Sequence, residues 1–100
     1  MEVRFQTSAV REYLLARRYY SRIDSKLADR FRSAVDAVIS RITTNPDSFP
    51  QTANGFRGVR VKRFPYILFF KVLNTKSIGI YAVGHTSRRP GYWRRRRIDE

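Results

Sequence analysis

Within HTSRRPGYWRRRR, residues 85–97, lie the chain's single histidine, its single tryptophan and six arginines. His85 could serve as general base or acid because imidazole exchanges its proton near neutral pH, and Tyr92 could donate a proton beside it. A second source of charge stands earlier in the chain, where Arg60 and Lys62 alternate with Val59 and Val61, with Arg57 and Arg63 on either side. Arg, Lys, His and Tyr together suit one reaction in particular, metal-free RNA cleavage by attack of a 2′-hydroxyl on the adjacent phosphate. One group takes the hydroxyl proton, another protonates the leaving oxygen, and cations hold the charge that builds at phosphorus. A bland reading stands beside this one: a lone histidine at a strand end is often structural. Trp93 can close a core as readily as it can stack on a base.

Other chemistries find little support. The chain has no cysteine and one histidine, which excludes disulfides and thiol nucleophiles and leaves no conventional zinc set. No glycine-rich phosphate loop is present, and the basic half has no carboxylate pair for glycoside or two-metal work. No cofactor and no metal are expected.

The net charge of +13 comes from 21 Lys and Arg against 8 Asp and Glu, and no acidic residue falls between Asp47 and Asp99. Such an uneven field attracts a polyanion, either nucleic acid or an acidic protein. The first residues, MEVRFQTSAVREY, lack the apolar run of a signal peptide, and no stretch is long enough to span a bilayer, so a cytoplasmic protein is expected.

The elements that must position these groups are readable in outline. Val3 and Phe5 alternate with polar neighbours, as in a half-buried strand over residues 1–6. Ser8 is a suitable cap for a helix beginning near Ala9, with Glu12 in its first turn and Val10, Tyr13, Leu14, Arg17 and Tyr20 on one face. Asp24 or Ser25 caps a second helix, in which Leu27, Phe31, Ala34, Val35, Val38, Ile39 and Ile42 recur at three- and four-residue spacing up to about Thr43. Residues 45–55 read as a loop, followed by strand-like runs at 56–64, 66–73 and 77–85, the last two joined at Asn74-Thr75. Period two sends Val59 and Val61 to the helix-covered face and Arg60 and Lys62 to an open one. The order β-α-α-β-β-β predicts a single α+β domain over residues 1–100: an N-terminal strand, an αα-hairpin and a three-stranded antiparallel meander. Residues 94–100 form a basic tail that need not be ordered.

In this order the chain resembles the RelE/ParE superfamily of bacterial type II toxins. The resemblance is carried by Glu12-Tyr13-Leu14 through Tyr19, by Asn45-Pro46 after the second helix, by Phe64-Pro65-Tyr66-Ile67-Leu68-Phe69-Phe70, and by His85 through Trp93. It implies the toxin half of a toxin–antitoxin system, neutralised in a hetero-oligomer by a cognate acidic antitoxin whose extended segment wraps the toxin. RelE-like members cleave mRNA in the ribosome, whereas ParE-like members inhibit DNA gyrase. On the cleaving pattern, the catalytic residues would be Arg60, Lys62, His85, Arg88 and Tyr92. Two departures count against it: Ile67 stands where the strand arginine is expected, and Thr86 where the late arginine is expected, with Arg88 at most a substitute for the latter.

The first helix also looks more like the ParE branch. The favoured reading is a non-catalytic gyrase inhibitor that arrests replication and growth. The rival is a ribosome-dependent endoribonuclease, and a non-toxic nucleic-acid-binding module stands third. Contacts with target or antitoxin would fall to Arg57, Arg63, Arg89, Trp93, Arg94, Arg95, Arg96 and Arg97.

Overall fold

The second helix follows most directly from its sequence. In the computed structural model, which describes residues 1–98, Asp24 has an extended backbone and its carboxylate accepts the Lys26 N–H at 3.0 Å. That cap ends α1 (Thr7–Ile23) and starts α2 (Ser25–Thr44). Ala28, Phe31, Val35, Val38 and Ile42 of α2 are buried against the sheet. The helix ends at Asn45 because Pro46 disfavours helical backbone in the residue before it.

The first helix departs from expectation at its start and on its face. Gln6, not Ser8, is the cap: its side chain accepts the Ala9 N–H at 3.1 Å, so the helix begins at Thr7. Glu12 therefore falls beyond the first turn, where the helix dipole gives it little. The buried face carries Ala9, Ala16 and Tyr20, while Leu14, Leu15, Tyr19 and Ile23 remain more than half exposed. The two alanines let the helix axis approach the sheet closely, and apolar spacing alone does not register that advantage.

Four strands form one sheet in the order β1-β4-β3-β2. These are β1 (Glu2–Phe5), β2 (Arg57–Arg60), β3 (Tyr66–Asn74) and β4 (Ser77–His85). The last three make the antiparallel meander, and β1 adds parallel to β4, with Phe5 opposite Ile80. The turn between β3 and β4 lies at Thr75-Lys76, with the Asn74 side chain accepting the Lys76 N–H at 2.8 Å. The loop before β2 contains two short 3-10 turns, Pro46–Ser48 and Ala53–Gly55. Among the described residues no helix is long and apolar enough to cross a membrane.

The face opposite the helices, expected to be open, is covered. Residues 90–98 fold back as a strap, stacking Trp93 on Phe69 with ring centroids 3.5 Å apart and 17° between planes. Phe56, Tyr81, Ala82 and Trp93 form a second buried cluster there, joined by Leu73, Tyr92 and Ile98. Covered on both sides, β4 is buried from Ser77 to Gly84. Residues 94–98 of the expected tail thus belong to the folded body; Asp99 and Glu100 lie outside the described residues.

Candidate functional site

A β-bulge prepares the site. Along β3 and β4 the register passes from Phe70 opposite Ile80 to Phe69 opposite Ala82, leaving Tyr81 without a partner on β3. On the other side β1 has already ended at Phe5, opposite Ile80. On its β1 side, the β4 backbone beyond Ile80 therefore needs hydrogen-bond partners that no strand supplies.

Side chains supply them. Glu12 of α1 accepts the Val83 N–H at 3.0 Å, and Arg96 of the strap donates to the Tyr81 carbonyl at 3.0 Å. Arg96 and Glu12 also meet directly in a two-pronged ion pair, at 2.7 and 3.0 Å. The Tyr92 hydroxyl donates to the same carboxylate at 2.7 Å, and Arg88 approaches it to 3.8 Å while lying 4.0 Å over the Tyr92 ring. One carboxylate on α1 thus gathers β4, the turn after it and the strap.

The electrostatics follow from this geometry. Burial alone would raise the Glu12 pKa, but the bonds from Arg96, Tyr92 and the Val83 N–H outweigh it and hold the carboxyl below its ordinary range. Burial and the bond to Glu12 push the Tyr92 phenol above its ordinary range, against the opposing pull of Arg96 and Arg88. Tyr92 holds its proton firmly.

Beside this cluster is a hollow of about 320 Å³ whose walls include His85, Arg88, Tyr92, Trp93 and Arg94, with Ile67 and Phe69 on the sheet side. His85 is exposed at the end of β4. Its Nδ1 accepts the Ser87 N–H at 3.0 Å and lies 2.7 Å from the Ser87 hydroxyl, leaving Nε2 to face other partners. Ile67 lies opposite Arg60 on β2 and Gly84 on β4, so an apolar side chain stands among the polar ones.

Of the five residues fitting a nuclease, the fold gathers His85, Arg88 and Tyr92 around this hollow. Arg60 and Lys62 are elsewhere: β2 ends at Arg60, the chain turns, and both side chains line a groove beside α2. The strand alternation extended to Lys62 in the sequence breaks at that turn, although Val59 and Val61 are buried as expected.

The remaining cations divide similarly. Arg57 bonds the Phe49 carbonyl at 2.5 Å and lies 3.6 Å from Asp47, pinning the loop before β2. Arg63 joins Lys62 at the groove, whereas Arg89, Arg94, Arg95 and Arg97 are exposed. Trp93 is buried and Arg96 is engaged in the clasp. Sequence reasoning missed Glu12 as the organising residue. The available signal was an isolated acid on a helix otherwise rich in arginine, in a chain whose basic half must be neutralised somewhere.

Comparison with known proteins agrees with this architecture. The profile of the ParE toxin of type II toxin-antitoxin systems, parDE, matches residues 3–90. It takes in Glu12 and stops short of Tyr92 and Arg96. Among solved structures, a chain described as the chromosomal ParDE TA system from P. aeruginosa shares the fold with a TM-score of 0.71. It is 16% identical, and the match covers 85% of this chain and 95% of that one. No curated protein matches in sequence. With a two-helix hairpin on a four-stranded sheet and a family match over most of its length, the chain belongs to the ParE toxin family of type II toxin–antitoxin systems.

Proposed function

We propose that this toxin inhibits DNA gyrase by binding and is neutralised by a cognate acidic antitoxin. The observation that carries the non-catalytic reading is the state of Tyr92. Its hydroxyl donates to a charged carboxylate and its pKa is raised, so it is a poor acid for a leaving oxygen. Ile67 adds to this, since an apolar side chain in the hollow gives no charge to a transition state at phosphorus. What remains suits recognition: exposed arginines at position 89 before the strap and at 94, 95 and 97 along it. Gyrase as the target rests on the family. An acidic antitoxin fits the surplus of positive charge.

Purified toxin added to a gyrase supercoiling reaction should abolish supercoiling, and added to a translation reaction it should leave the message uncut. Intact supercoiling with mRNA cut at the ribosome would reverse the assignment. Co-expression with the cognate antitoxin should restore growth.

A further inference from the structure

The outer side of α1 carries large apolar side chains that the core leaves out. Leu15, Tyr19 and Ile23 are 58, 60 and 61% exposed. Spaced four residues apart, they line up along the helix as one ridge. Arg11, Arg18 and Arg22, all exposed, run beside that ridge, and the exposed Leu14 lies beyond them. A continuous apolar ridge left in water marks an interaction surface.

The charges around the ridge are positive and available. Among the described residues Arg11, Arg18 and Arg22 enter no ion pair. The neighbouring acids are occupied. Glu12 is bound to Arg96, Tyr92 and the Val83 N–H, and Asp24, just after Ile23, caps α2 by accepting the Lys26 N–H.

We infer that α1 docks this protein on an anionic lipid bilayer. The helix lies flat in the interface, with Leu15, Tyr19 and Ile23 reaching the upper acyl chains and Arg11, Arg18 and Arg22 on lipid phosphates. At 17 residues, with Ala9, Ala16 and Tyr20 buried on its inner side, it rests on the surface and does not cross. A fluid surface envelops a convex ridge, whereas a rigid protein partner would have to be hollowed to meet it. A second copy of this chain is a poor occupant, because ridge against ridge brings arginines against arginines on chains that each carry +13. A nucleic-acid strand would use the arginines but leave Leu15 and Ile23 unmatched.

The test measures binding of the full chain to vesicles of equal parts phosphatidylglycerol and phosphatidylcholine, with pure phosphatidylcholine vesicles beside them and the denaturation midpoint of each variant recorded. The wild-type chain should bind the anionic vesicles and ignore the neutral ones. Arg11→Gln with Arg18→Gln and Arg22→Gln should weaken binding by about a hundredfold. Leu15→Gln with Ile23→Gln should weaken it by about thirtyfold with the charge unchanged. Both sets are exposed, so the midpoints should stay at the wild-type value. Arg94→Gln with Arg95→Gln and Arg97→Gln removes the same charge from the strap and should bind within about threefold of wild type, since charges away from the contact are screened. Tyr19→Trp should gain a blue-shifted emission on anionic vesicles that the buried Trp93 of the wild type does not show.

A wild-type chain that ignores anionic vesicles overturns the inference and leaves the gyrase reading untouched, because the two are independent. Equal losses in the strap and α1 arginine variants mean adsorption by diffuse charge and overturn it as well. So does a Leu15→Gln, Ile23→Gln protein that binds vesicles as wild type but no longer inhibits gyrase or meets its antitoxin, which makes the ridge a protein-docking surface. A lipid-free dimer abolished by the same variant assigns the ridge to a second copy, with the same consequence.

Discussion

Glu12 and Arg96 are 84 residues apart in sequence and joined by two hydrogen bonds, at 2.7 and 3.0 Å. Their side chains are only 14% and 17% exposed, so the pair is screened little by solvent. It fastens the strap to α1 across the end of β4.

Removing the carboxylate should loosen that strap. Glu12→Ala leaves Arg96 charged without its partner and the Val83 N–H unsatisfied, at a cost of about 3 kcal/mol. Chemical denaturation measures the loss. The fluorescence of Trp93, the single tryptophan, should shift to the red as the strap moves into water. An unchanged spectrum and midpoint would mean that Trp93 packing alone holds the strap.

The same pair makes stability depend on pH. The Glu12 pKa is lowered on folding, so its contribution is complete above the unfolded carboxyl pKa and is lost as pH falls through the folded one. The denaturation midpoint should therefore drop as pH falls through and below the ordinary carboxyl range, and Glu12→Gln should flatten that drop. Parallel profiles for the two proteins would place the acid sensitivity at other carboxylates.

Tyr92→Phe separates structure from catalysis. Loss of the hydroxyl bond to Glu12 should cost about 1.5 kcal/mol. At temperatures where the variant remains folded, inhibition of supercoiling should persist. A folded Tyr92→Phe protein without any toxic effect would restore the case for Tyr92 as a proton donor.

Gly84 must lack a side chain because the strap lies directly on it. A Cβ there would collide with the Tyr92 hydroxyl and stand 3.2 Å from two atoms of its ring. Gly84→Ala should cost about 2 kcal/mol. Combining it with Tyr92→Phe should cost less than the sum of the two, since both act on the same contact. Additive losses would show that the backbone of β4, not the ring of Tyr92, yields to the new methyl group.

Periodicity and breakers made much of the fold legible in advance. The spacing of Phe31, Val35, Val38 and Ile42, the Asp24 cap and the stop at Asn45-Pro46 depend on neighbours close in sequence, and α2 forms as they predict. The meander was legible for the same reason. At the candidate site, His85 at the strand end and Trp93 as a core-closing residue could be read from position and residue type.

The rest depended on partners distant along the chain. β3 has the longer aromatic and apolar run, yet β4 is the more buried strand, because β1 pairs beside it and the strap covers its second face. Glu12 looked like an ordinary first-turn acid until Gln6 moved the helix start and the bulge at Tyr81 left β4 backbone groups to satisfy. Sequence by itself determined the helices, the strands and the excess of cations. Tertiary structure decided which cations are tied down and which stand free, because a buried carboxylate can recruit an arginine only where the fold brings the two within hydrogen-bonding distance.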